Sequence, residues 1–161
     1  METKNQTLSK SKIWIFTCSR PLTESESDDL LANLNTFLKS WNTHGSKLFA
    51  EGWIELNQIL IVSLDENFMA ASGCSIDKLN RFVSNQSEAL KVNFFDRLTV
   101  FYQDENKTKS TNLATFWALR KANTINDETL VLDTTIKTFE DWKMHKWKQF
   151  QNSWHKSMYG R

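Results

Sequence analysis

The sequence predicts an α+β fold: a four-stranded, mainly antiparallel sheet of ferredoxin-like βαββαβ order, with helices on one face and a C-terminal helical extension. Three observations predict it. Apolar runs and helix-period stretches follow one another in the order strand, helix, strand, strand, helix, strand up to about residue 103. The two most uniformly apolar runs, "IWIF" at 13–16 and "ILIV" at 59–62, are the first and third strands, which such a sheet places in its middle. Only four glycines and one proline occur in 161 residues, so long regular elements with few tight turns are expected. That length is one domain by the usual prior. It divides here into a tail over 1–11, a core over 12–103 and a mainly helical extension over 104–161.

Ile13 to Phe16 make the first strand, and Pro21 ends it. Thr23-Glu24-Ser25-Glu26 is a capping box: the Thr23 hydroxyl takes the amide three residues on, and Glu26 reaches back. Leu30, Leu34, Phe37, Leu38 and Trp41 follow at helical spacing. That helix is expected to stop near His44-Gly45, with Gly45 as a left-handed cap. Leu48 to Leu56 alternates like a strand with one wet face, and Asn57-Gln58 is the expected turn into the strand from Ile59 to Leu64. Ile76, Leu79, Val83 and Leu90 mark one face of a second helix, and "LTVFY" at 98–102 is the fourth strand. Residues 103–112 read as a polar linker. A short helix carries Leu113, Phe116, Trp117 and Arg120. Residues 124–136 fit either an extra strand at 129–132 or part of a helix. Phe139, Trp142, Trp147, Phe150, Trp154 and Met158 form a rough apolar stripe, read as one terminal helix.

Composition narrows the function classes. A net charge of +1 creates no global field for nucleic acid or an anionic membrane. The N-terminal stretch has no apolar signal-peptide core, and the longest apolar runs are far short of a membrane span. A cytoplasmic protein, without a membrane partner, is therefore expected. Cys18 and Cys74 read as free thiols in a reducing compartment, and no CxxC or Cys/His cluster has zinc spacing, so no metal site is expected. No P-loop, GxGxxG, HExxH or GxSxG motif is present. These absences leave the cofactor unknown. Lys137, Lys143, Lys146, Lys148, Lys156 and Arg161 outnumber Glu140 and Asp141 among interleaved tryptophans. A solvated helix face explains this better than a nucleic-acid surface.

The stretch "ASGCSIDK" at 71–78 is where chemistry is sought. Either Ser72 or Ser75 caps the second helix, so Cys74 sits near free backbone N–H groups and the positive end of the helix dipole. Three readings follow. The first is a tight strand-to-helix turn with a small cysteine. The second is an anion site built from the Gly73, Cys74 and Ser75 amides, the Ser72 and Ser75 hydroxyls and Lys78. The third is a thiolate nucleophile at Cys74 with His44 as a candidate base. His155 beside Trp154 is a weaker site candidate, and His145 lies too far along the chain to join it at one metal.

The segments "IWIFTCSRPLTESE", "SWNTHGSKLFAEGWIELNQILIVSLDE", "ASGCSIDK", "FFDRLTVFY" and "NSWHKSMY" together resemble a family of small uncharacterised bacterial proteins. Its members are often labelled ABC transporter ATPase. The resemblance spans nearly the whole chain from Ile13 and implies a cytoplasmic bacterial protein, with no catalytic residues to carry over. The label fails on chemistry: glycines at 45, 52, 73 and 160 alone cannot build a phosphate-cradling loop. The expected function is a non-enzymatic binding or interaction domain with a small anionic ligand or a protein partner near residues 72–78. The alternatives are a Cys74 thiol enzyme and weak nucleic-acid binding by the terminal helix. Edge strands of such a sheet also allow a homodimer.

Overall fold

The computed structural model describes residues 11–159. The tail expected over 1–11 lies outside it except for Ser11, which is buried and whose carbonyl accepts the Phe139 N–H.

The first strand is β1 (Lys12–Thr17), and helix α1 (Glu24–Ser40) follows the capping box, with Thr23 and Glu26 bonded reciprocally as the sequence requires. The helix ends earlier than expected, at Ser40. His44 and Gly45, both at positive φ, instead make a two-residue hairpin turn between β2 (Asn42–Thr43) and β3 (Ser46–Lys47). A glycine-linked left-handed turn looks the same in sequence whether it closes a helix or a hairpin. Next come β4 (Ala50–Glu55) and β5 (Ile59–Leu64). Their turn is Leu56-Asn57, one residue earlier than expected, again with both φ values positive.

Helix α2 (Gly73–Leu90) is followed by β6 (Thr99–Asp104), β7 (Lys107–Asn112) and α3 (Leu113–Lys121). The expected polar linker is thus β7, folded back on β6 through Glu105-Asn106. The undecided stretch contains a strand, β8 (Leu130–Leu132). The expected terminal helix is instead four short elements: α4 (Phe139–His145), β9 (Trp147–Gln149), a 3-10 turn over Phe150–Asn152 and α5 (Trp154–Met158). Trp147 and Gln149 pair with Leu132 and Leu130, so the strand interrupts the helical stripe.

The α+β class stands, but the strand order differs from a ferredoxin-like sheet. One sheet has the order β1-β5-β4 and a second has β7-β6-β8-β9. The fourth expected strand, β6, lies in the second sheet, held by β7 and by the Tyr102–Val131 pairing to β8. It does not flank β1, whose free edge is bonded at its ends to other segments: Ile13 N–H bonds Lys137 C=O, and Asp96 N–H bonds Thr17 C=O.

Alternation along the strands builds the core. Leu60, Val62 and Leu64 of β5 face α1 and α2, in a cluster with Phe16, Leu34, Leu79 and Val83. Ile59 and Ile61 face the other way, against Phe101, Leu132 and Trp142. Val100, Tyr102 and Val131 point beyond the second sheet onto Phe116, Ile125 and Phe150. The first sheet is therefore covered on both faces, which explains why every residue of β5 is buried. Helix α1 packs so closely on β4 that a Cβ on Gly52 would come within 2.3 Å of Leu34 Cδ2. Among the described residues no helix is long and apolar enough to cross a membrane.

Candidate functional site

Ser72 is the N-cap of α2, and Ser75 completes a capping box with it. Ser75 N–H donates to Ser72 Oγ at 3.2 Å, and Ser72 N–H donates to Ser75 Oγ at 2.7 Å. Ser75 Oγ also donates to the Ser72 carbonyl. The two hydroxyls singled out as ligand groups are thus occupied in starting the helix. The indole N–H of Trp41 donates to the Ser75 carbonyl at 2.8 Å, locking the first turn of α2 onto the end of α1. Gly73 has open space where a Cβ would stand. Cys74 is a free, exposed thiol beside it, and Lys78 is exposed one turn on. His44 is exposed in its hairpin turn, and no hydrogen bond joins it to Cys74. Cys18 is fully buried, and burial pushes its thiol up despite the nearby Arg20.

A cleft of about 560 Å³ lies elsewhere, against β1. Its floor is Ile15, Phe16 and Thr17. Its walls are Asn80 of α2, the loop Phe94–Arg97, Thr134 and Thr135, and Trp154 of α5. Two segments are laced to β1 on either side of it. At one end Phe139 N–H bonds Ser11 C=O and Ile13 N–H bonds Lys137 C=O, both at 2.9 Å. At the other, Ser19 N–H bonds Asn93 C=O at 2.8 Å and Asp96 N–H bonds Thr17 C=O at 3.2 Å. The loop is held by local bonds: Asp96 accepts the Leu98 N–H on one carboxylate oxygen and the Thr99 hydroxyl on the other.

Antiparallel pairing directs every second residue's N–H and C=O toward one neighbour. Residues 12, 14, 16 and 18 of this ladder face β5, as the Cys18 N–H to Gln58 C=O bond shows. The odd residues face away from β5, Ile15 and Thr17 of them on the cleft. Among the described residues, Ile13 C=O, Ile15 N–H, Ile15 C=O and Thr17 N–H have no hydrogen-bond partner there. Neither do the side chains of Asn80 and Arg97. The Trp154 indole N–H is shielded from solvent and also unpartnered.

Next to Trp154, His155 is almost wholly buried. It stacks on the Trp154 ring at 3.8 Å and lies against Phe116. Burial pushes its imidazole down to about 4, against a smaller opposing pull from the Asp133 charge. Burial would raise the Asp133 carboxyl, but bonds from Lys148 and Thr135 outweigh it and hold the group low.

A second cleft, of about 550 Å³, lies between β4 and α4. Glu55 organises it, accepting the indole N–H groups of Trp53 and Trp142 and the Lys146 ammonium at 2.9 Å. This carboxylate is saturated by its own chain and reads as a fastening. Among the described residues no group of three or more His, Cys, Asp or Glu is placed to hold a metal ion.

Sequence reasoning reached Trp154 as part of the terminal apolar stripe and as the neighbour of His155, and it missed Asn80 and Arg97 as site residues. The only local hint was "FFDR" before the fourth strand, where polar residues interrupt an apolar run. No family model, curated protein or solved structure matches the chain.

Proposed function

We propose that the protein is a non-enzymatic binding domain of the cytoplasm whose ligand site is the cleft beside β1. The observation that carries this reading is a cleft of about 560 Å³ bordered by the unpaired strand edge at Ile15 and Thr17 and by the side chains of Asn80, Arg97 and Trp154. That volume is in the range of pockets that enclose small ligands, and the exposed Arg97 and half-buried Asn80 are accessible to one. The free Cys18 and Cys74 are in keeping with a reducing compartment. Arg97 favours an anionic ligand, here at a different place from the expected residues 72–78.

The test is amide and indole chemical-shift mapping by NMR, with a panel of small carboxylates and phosphates. Shifts at Ile15, Thr17, Asn80, Arg97 and the Trp154 indole are expected. Shifts confined to residues 72–78 would move the site to the start of α2, and no shifts at either place would remove the anionic-ligand reading.

One observation favours a second reading, a thiol enzyme: Cys74 is exposed at the second position of an 18-residue helix. Its alkylation rate against pH decides, since a midpoint near the free-thiol value of about 8.5 would eliminate it. The nucleic-acid reading loses support, because Lys146 and Lys148 are paired to Glu55 and Asp133 within the chain.

A further inference from the structure

We propose that the cleft takes a short extended peptide from a partner protein, added as a fourth strand along Ile13–Thr17 of β1, with a carboxylate of that peptide against Arg97. This rests on the cleft being the ligand site and goes further by naming what fills it.

Backbone geometry carries the argument. The unpartnered groups are two donors and two acceptors in the order C=O, N–H, C=O, N–H along one strand edge. A strand edge presents that pattern to another extended chain, and main-chain bonds of this kind are how peptides dock by strand addition. The laced segments at 137–139 and 93–96 bracket the gap. The opening from Ile13 to Thr17 is four residue steps, about 13 Å at roughly 3.3 Å each. It fits a short peptide and stops a long strand from running past. Pairing with the open edge of a second copy is therefore disfavoured.

Two other sheet edges are guarded. The edge strand β7 carries Lys107 and Lys109, and the edge strand β4 carries Glu51 and Glu55. Charges of this kind are a standard defence against unwanted strand pairing. Between Ile13 and Thr17, β1 carries none. Phe95, which is 44 % exposed, stacks edge-on against Phe16 at 5.7 Å and offers an apolar shoulder for a peptide side chain. Arg97 lines the same cleft and has no ion-pair partner among the described residues, so a carboxylate complements it.

The test is selection from a randomised hexapeptide library, with free C-termini, on the immobilised full chain. Peptides enriched over an Ile15→Pro bait are expected. Ile15 donates nothing inside the sheet, so proline there blocks the edge without removing a ladder bond. A resynthesised winner should shift the Ile15 and Thr17 amides. N-methylation of its pairing amides should weaken binding at least about tenfold, which tests the same bonds even where Ile15→Pro does not fold. Arg97→Ala should also weaken it about tenfold. An amidated C-terminus tells a terminal carboxylate from an acidic side chain.

No enrichment, or binding indifferent to N-methylation, would overturn the proposal. So would concentration-dependent dimerisation that shifts the same amides without peptide, since the occupant would then be a second copy. Should small carboxylates still shift the cleft, strand addition alone would have failed, and the binding-domain reading would survive.

Discussion

His155 shows how one buried side chain couples packing to pH. Its ring is enclosed by Trp154 and Phe116, and Nδ1 has no partner among the described residues. The folded imidazole titrates at about 4, below its ordinary value of 6.5. The unfolded chain therefore binds the proton more readily. Stability should be constant above about pH 6.5 and fall as the pH drops toward 4, by on the order of 3 kcal/mol over that window. Asp133, the charged group that opposes the shift, loses its own pairing only at lower pH. Urea midpoints of the wild type and His155→Phe, compared at pH 7.5 and 5, test this. The wild type should lose markedly more, and equal losses would place the acid sensitivity elsewhere.

At the scale of elements, the hairpin turns decide register, and one is made of poor residues. Leu56 and Asn57 join β4 to β5 with φ values of 54° and 53°. A left-handed φ is costly for leucine and nearly free for glycine, and asparagine followed by glycine suits such a turn. Leu56 is exposed, so its side chain offers little packing in return. Replacing the pair by Asn-Gly should stabilise the fold by about 1 kcal/mol, read as a raised thermal midpoint with unchanged circular dichroism. No gain would mean that Leu56 makes a compensating contact.

The same unfavourable residues hid the turn from sequence reasoning, which placed it one position later. The helix starts were legible, because capping boxes are local chemistry: Thr23 with Glu26, and Ser72 with Ser75, need no neighbours from elsewhere in the chain. The C-terminal stripe misled, because β9 pairs with β8 and that preference outweighs local periodicity.

At the scale of the molecule, Glu55 ties the C-terminal segment to the first sheet. It sits on β4, while Trp142 and Lys146, both bonded to it, come from the last quarter of the chain. Glu55→Ala leaves an indole N–H and an ammonium without their acceptor. It should cost about 1–3 kcal/mol and raise amide exchange in residues 139–149 more than in α1. Uniform exchange would show that α4 is held by apolar contacts alone.

By itself the sequence determined the α+β class, the apolar first and third strands and both capped helices. Each follows from patterns within a few residues, where side-chain chemistry acts on its own backbone. Only the tertiary structure decided the rest. It put β6 in a second sheet, broke the terminal stripe into four elements and left the edge of β1 open between two segments far apart in sequence. Strand partnership depends on which edges remain free after every other segment has packed, and no local pattern records that. The candidate site was illegible for the same reason: its floor is backbone, and any sequence has N–H and C=O groups to offer.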